Sequence, residues 1–273
     1  MKKTSLQLGW NSNSFQSHRL EEVLPMLADL GYGAVAITPD VPHLDPRYTT
    51  PEDLRRVGAK CAELKLDVVV ETGARYLLDP QRKHRPNLLE VDDSKDIRLK
   101  FLRHMVEWCD LLGAKVLSFW SGAMPEGQTT EGAAARLADA CENLHSLSER
   151  YGVTLGLEPE PGHFVETLED YGRFCKANPG LVKLTLDTGH LLANEEGQPA
   201  AQLENWKDEI VNLQLDDAHY GIHEHLPPGE GEVDWPAFWL AVAQAELSCP
   251  ACWELSRDSH RFHKLVQAQS PLT

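Results

Sequence analysis

Leu155-Gly-Leu-Glu-Pro-Glu160, Leu184-Thr-Leu-Asp-Thr-Gly-His190, Leu213-Gln-Leu-Asp-Asp217 and Cys252-Trp-Glu-Leu-Ser256 share one design. In each, an apolar alternation ends in a polar residue where a strand would run out into a loop. Successive segments are spaced by about one strand plus one helix, the spacing of parallel βα units. In parallel strands, Glu158, Asp187, Gln214 and Glu254 arrive at the same end of one sheet. Three carboxylates and an amide gathered there repel one another and lose hydration, unless a cation sits among them. The four segments therefore read as the rim of a metal-dependent site.

Working outward, the same pattern recurs along the chain. Strands are predicted near residues 5–10, 33–38, 67–72, 114–120, 153–158, 182–187, 210–215 and 250–255, with helical stretches between them. Leu102, Met105, Val106, Cys109 and Leu112 repeat at helical spacing, and Gly113 stops that helix. Gly31 closes the first helix. Asp234 before Trp235-Pro236 reads as the cap and first turn of a seventh. Eight βα units without a linker predict a single (β/α)8 TIM barrel spanning residues 1–273. A doubly wound sheet is the alternative, but Leu8-Gly-Trp-Asn-Ser-Asn-Ser14 has one glycine and no phosphate fingerprint. Residues 75–93 form a long polar connection containing Arg82, Lys83, His84 and Arg85. It is either a substrate loop or an exposed excursion.

The chain has 273 residues, of which 42% are hydrophobic and 25% charged, enough for a large core. No run of about 18 apolar residues occurs and no signal-peptide core follows Met1, so a cytoplasmic location is expected. A formal net charge of −16 repels phosphate backbones and argues against a nucleic-acid partner. A small-molecule partner is expected instead, with no membrane and with a homo-oligomer open. Cys109 and Cys141 fall on apolar helix stripes. Cys249-Pro-Ala-Cys252 has redox or zinc spacing, but it stands alone and enters a strand, which favours packed thiols.

Strand alternation puts Glu158 on one face with Gly156, Asp187 with Thr185, Gln214 with Asn212 and Glu254 with Cys252. Those faces look into the barrel, at the rim where barrel enzymes place their chemistry. A helix cap or surface ion pair would explain one such carboxylate, but not four aligned polar residues on consecutive strands. Oxygen-rich ligation suits Mn²⁺, Mg²⁺ or Co²⁺, with Zn²⁺ open. A second cluster joins His190 to His223-Glu-His225, either as ligands of a second metal or as partners of substrate hydroxyls. Trp120, Glu160 and Arg257 are assigned to substrate binding. Trp10 is a further stacking candidate, whereas Trp253 points to the helices.

These residues resemble the xylose isomerase-like TIM-barrel superfamily, which holds sugar isomerases and epimerases, inosose dehydratases and zinc AP endonucleases. The marks are Glu158, the Asp-Thr-Gly-His of residues 187–190, the Gly-Glu-Gly-Glu-Val-Asp-Trp of residues 229–235, and Glu254. The epimerase branch, by this resemblance, implies a metal held by Glu, Asp, His and Glu; here these fall on Glu158, Asp187, Gln214 and Glu254. Gln214 departs from the usual histidine, which shifts preference toward harder cations. The endonuclease branch carries histidines on strands three and four, where this chain has Val70-Glu-Thr-Gly73 and Phe119-Trp-Ser-Gly122.

The expected chemistry is isomerisation or epimerisation of a sugar or polyol-like substrate. A proton moves at a carbon beside a carbonyl, through a metal-stabilised enediolate. Glu158 and Glu254 are the catalytic acid–base pair. A dehydratase or lyase could use the same groups, and a sugar-binding barrel without turnover would need no metal.

Overall fold

The computed structural model describes residues 6–92 and 94–272. Eight parallel strands close in chain order: β1 Gln7–Asn11, β2 Ala34–Ile37, β3 Asp67–Glu71, β4 Val116–Trp120, β5 Thr154–Glu158, β6 Lys183–Asp187, β7 Ile210–Leu215 and β8 Pro250–Trp253. β1 pairs with both β2 and β8, so the sheet has no free edge. All eight predicted strands are present, and the structure is the predicted (β/α)8 barrel.

Two cores follow from the alternation. Ala34, Ala36, Val69, Val116 and Cys252 pack with one another inside the barrel. Val35, Ile37, Val70, Leu155, Leu157, Leu184 and Leu213 belong instead to the large core shared with the helices. Gly156 is small for a reason: a Cβ there would lie 2.5 Å from Thr185 Oγ1. The space it leaves admits the Ser118–Thr185 hydroxyl contact, 3.0 Å, across the interior.

The helices are α1 Leu20–Asp29, α2 Pro51–Leu64, α3 Lys95–Leu112, α4 Thr130–Tyr151, α5 Leu168–Ala177, α6 Thr188–Ala193, α7 Pro199–Trp206, α8 Trp235–Gln244 and α9 Phe262–Ala268. α1 stops at Asp29, two residues before the left-handed Gly31 at φ 84°. α3 ends at Gly113, also left-handed. Asp234 caps its helix by accepting from Ala237 N at 3.0 Å. That helix is eighth rather than seventh, because the β6–β7 connection holds both α6 and α7. No helix among the described residues is long and apolar enough to cross a membrane.

Two side readings are settled by packing. Cys249 and Cys252 are free and buried, and burial pushes the Cys249 thiol up to about 12. They are packed thiols, as are Cys109 and Cys141. Trp10 is fully buried against Phe262, with ring centres 5.2 Å apart, so it is core and no sugar platform. Trp253 is likewise core, packed on Trp235.

The described part of the 75–93 connection, residues 75–92, is no mere excursion; residue 93 lies outside the described residues. Leu88 and Leu89 are buried, and His84 N donates to Arg75 O at 2.6 Å, closing the loop on itself. Beneath it lies Arg98 at 1% exposure, donating to Pro86 O and Thr72 O, each at 3.2 Å.

Candidate metal and active site

The carboxyl ends of the strands open into one cavity of about 580 Å³. Glu71, Trp120 and Glu158 end their strands there, Asp187 ends β6 beside it, Gln214 stands one residue before the end of β7, and Glu254 follows β8. Five of these six line the cavity wall. Asp187 stands behind it, 2% exposed.

Each of the four expected ligands uses part of its polar capacity within the protein. Gln214 Nε2 donates to Glu158 Oε2 at 2.9 Å, which turns the amide oxygen away from that carboxylate. Asn13 Nδ2 donates to Glu254 Oε1 at 2.8 Å. Asp187 Oδ1 caps α6 by accepting from His190 N at 2.8 Å. What remains is informative: Asp187 Oδ2 and Glu254 Oε2 are buried with no hydrogen-bond partner. An unpartnered buried carboxylate oxygen is costly. Burial, reinforced by neighbouring carboxylates, pushes Glu158 and Glu254 well above the ordinary carboxylate range.

His190 joins the same cluster. Its Nδ1 lies 3.1 Å from Pro159 O, so that nitrogen carries the proton and donates. Nε2 is buried and without a hydrogen-bond partner. The Nδ1 side of the ring faces Glu158 Oε1 at 3.4 Å and Asp187 Oδ1 at 3.9 Å, and one ligand atom from each of the three residues falls within 4.8 Å of the others.

The three sequence-predicted histidines meet. Ring centres are 4.9 Å apart for His190–His223, 5.9 Å for His190–His225 and 5.3 Å for His223–His225. Their ligand atoms also fall within 4.8 Å of one another. Burial and the neighbouring imidazoles hold His225 well below its ordinary value, and burial first, then His190, lowers His223 to about 3. His225 Nδ1 lies 2.6 Å from Asp216 Oδ2, and this hydrogen bond orients the ring and leaves Nε2 free. Glu160 stands between the clusters, its carboxylate 3.8 Å from His190 Nε2 and 4.0 Å from His223 Nε2.

Trp120 lines the cavity against His84, 5.1 Å between ring centres, and His163, 4.8 Å, and the two imidazoles also meet edge to face at 6.3 Å. Burial holds both imidazoles neutral, at about 3 and about 2. The Arg98 guanidinium lies 4.4 Å from the Trp120 ring centre and fixes the ring from below. Arg257 also borders the cavity and donates to His223 O at 3.1 Å, joining the β7 and β8 loops.

Several participants escaped the sequence reading. Asp216 and Asp217 were visible as a pair, but only the fold separates their tasks. Asp216 holds His225. Asp217 accepts from Gly229 N at 2.7 Å, Val233 N at 2.9 Å and Trp235 Nε1 at 3.0 Å. The glycine-rich run at 229–235 is thereby pinned beneath the histidine loop. Glu71 ends β3, where the endonuclease branch carries a histidine. Thr38 Oγ1 lies 2.6 Å from Glu71 Oε2 and 2.8 Å from Asn11 Oδ1, with the latter oriented by accepting from Asn13 N. One hydroxyl proton cannot serve two acceptors, so both contacts are hydrogen bonds only when Glu71 is protonated. Burial raises Glu71 in that direction.

The donor set fits a divalent cation. Buried acceptors without partners stand at the end of β6 (Asp187 Oδ2), just after β8 (Glu254 Oε2) and in α6 (His190 Nε2), and the His223 and His225 rings are held in the unprotonated form that ligation needs. Fold and donors together define a (β/α)8 barrel with its reactive groups at the carboxyl ends of the strands. The sequence model of the xylose isomerase-like TIM barrel family matches residues 24–271, and the chain belongs to that family.

Solved structures superpose over nearly the whole chain. A D-tagatose 3-epimerase-like protein gives a TM-score of 0.76 at 18% identity, covering 96% of each chain. The 3-keto-D-glucoside 4-epimerase of E. coli gives 0.74 at 16%, covering 96% of this chain and 99% of the other. The IOLI protein, with a zinc atom bound, gives 0.72 at 19%, covering 97% and 99%. At these identities the likeness is one of fold. An uncharacterized protein of Methanocaldococcus jannaschii is 24% identical over 144 residues, 53% of this chain. The match spans 56%, little more than half, of that relative's length.

Proposed function

We propose that this protein is a divalent-metal-dependent isomerase or epimerase of a sugar or polyol-like ketose or aldose. The observation that carries the reading is the pair Glu158 and Glu254. Their strands stand three places apart around the closed barrel, so the two carboxyls enter one cavity from different sides. Both are raised well above the ordinary range, toward the pH at which a carboxyl can both take and return a proton. One removes the proton beside the substrate carbonyl, and the other delivers a proton to the opposite face. Glu158, Asp187, Gln214 and Glu254 would hold the cation, with Mn²⁺, Mg²⁺ or Co²⁺ favoured by the oxygen donors and Zn²⁺ open. When bound, it supplies a Lewis acid that polarises the carbonyl.

His190, His223 and His225 form a nitrogen-rich set suited either to a second cation or to substrate hydroxyls, and two ions per chain would assign them to the cation. One ion per chain would assign these imidazoles to substrate hydroxyls. Trp120 offers a face for the sugar ring, steadied by Arg98, and Glu160 and Arg257 border the same space. Similarity in fold to sugar epimerases supports this reading. The test is incubation with a panel of ketohexoses and Mn²⁺ in D₂O. An epimer carrying deuterium beside the carbonyl is expected. Loss of a hydroxyl would move the protein to the dehydratases or lyases, and no reaction with any sugar would contradict the proposal.

A further inference from the structure

The rim of the cavity carries charge of the opposite sign to its floor. Arg75 and Lys83 flank the closure of the 75–84 loop, and Arg257 lies on the β8 loop; all three border the cavity. The chain as a whole has 42 acidic and 26 basic residues. In such a chain a surface cation easily finds a carboxylate, as Arg47, Arg56, Lys60, Arg82, Arg85 and Arg261 do. Arg82 and Arg85, neighbours of Lys83 in the same loop, are both paired. Arg75 and Lys83 make no ion pair among the described residues, and Arg257 donates only to a backbone carbonyl.

These cations also oppose one another. Burial first, then Arg75, with a smaller push from Arg257, lowers the Lys83 ammonium below its ordinary value. Glu160 acts against this, Glu71 attracts Arg75, Glu224 attracts Arg257, and Asp40 borders the same cavity, but none reaches ion-pairing distance of the three. Like charges gathered at one mouth with no carboxylate in direct contact cost free energy. An anionic group arriving there would relieve that cost and be steered inward by the same field.

We propose that the substrate carries an anionic group, carboxylate or phosphate, at the end of its chain remote from the reacting carbon, bound by Arg75, Lys83 and Arg257. This rests on the sugar isomerase or epimerase reading of the same cavity. The carbonyl end goes to the floor, beside Glu158 and Glu254, and the charged end stays at the rim. Carboxylate and phosphate are both served by a guanidinium pair and an ammonium.

The test is calorimetric titration of the full chain with Mn²⁺, using D-fructose, D-fructuronate, D-fructose 6-phosphate and, as an anion without a sugar, 2-phosphoglycolate. At low ionic strength at least one charged sugar should bind more than about tenfold tighter than fructose, and that preference should shrink as salt is added. Which of the two leads assigns carboxylate or phosphate. Arg75→Gln and Lys83→Gln should each reduce the charged-to-neutral ratio several-fold, and a merely structural loss would weaken all ligands alike. Fructose binding as tightly as both charged sugars would overturn the inference and leave the sugar reading standing. No sugar bound, with 2-phosphoglycolate bound through Lys83, would overturn the sugar reading and leave the anion site. No anion bound at all would overturn the inference.

Discussion

At the scale of single residues, most site groups do two jobs. Asp187 caps α6 with one oxygen and leaves the other buried without a partner. Asp187→Asn should therefore keep the cap through its carbonyl oxygen and lose the charge. Folding should be retained, while affinity for the cation falls by more than about tenfold, read by metal titration of purified variants. His225 shows the same economy through Asp216, 2.6 Å away. Asp216→Asn should weaken the second cation by about ten- to a hundredfold without removing a direct ligand. The rim residues were legible in sequence because each ends an apolar alternation. Their partners were not: nothing local links Asn13 to Glu254, Gln214 to Glu158 or Thr38 to Glu71, which meet only through barrel closure.

At the scale of elements, alternation located every strand to within a few residues, because inward and outward positions have different volumes to fill. The β6–β7 connection was misjudged as one helix. Its first helix, α6, is only six residues long and exists because Asp187 caps it, so it shows no sustained periodicity. The histidine loop is ordered by Asp217 beneath it. Removing the Asp217 carboxylate would strand several buried donors, from Gly229 to Trp235. Asp217→Ala should cost about 3 kcal/mol, measured by urea unfolding, and should also weaken metal binding at His223 and His225. A loss of stability below about 0.5 kcal/mol would show that the run at 229–235 is held by other contacts.

At the scale of the whole molecule, the burial of so many ionisable groups sets a pH profile. Folded His84, His163 and His223 titrate at about 3, 2 and 3, against 6.5 when unfolded. Unfolding takes up protons, so their contribution is present above pH 6.5 and is lost as pH falls toward 3. Glu158, Glu254 and Asp216 behave oppositely: raised in the fold, they add stability at low pH and lose it as pH rises past the unfolded value through the folded one. Between 4.5 and 6.5 the two sets compete; above 6.5 only the carboxyls act. The melting temperature of chelator-treated protein should peak near pH 6 and decline toward pH 8.5, and Mn²⁺ should remove most of the alkaline decline. The net charge of −16 and the absence of histidines at the ends of β3 and β4 lead to a further expectation, that abasic duplex DNA is not incised at physiological salt. The central claim is that two carboxyls reaching into one cavity from different strands move a proton on carbon. It is tested most directly by ¹H NMR of substrate in D₂O with the Mn²⁺-loaded wild type, Glu158→Gln and Glu254→Gln. Deuterium should enter beside the carbonyl with the wild type, and each variant should slow that exchange by at least about a hundredfold. Exchange at the wild-type rate in both variants would contradict the account.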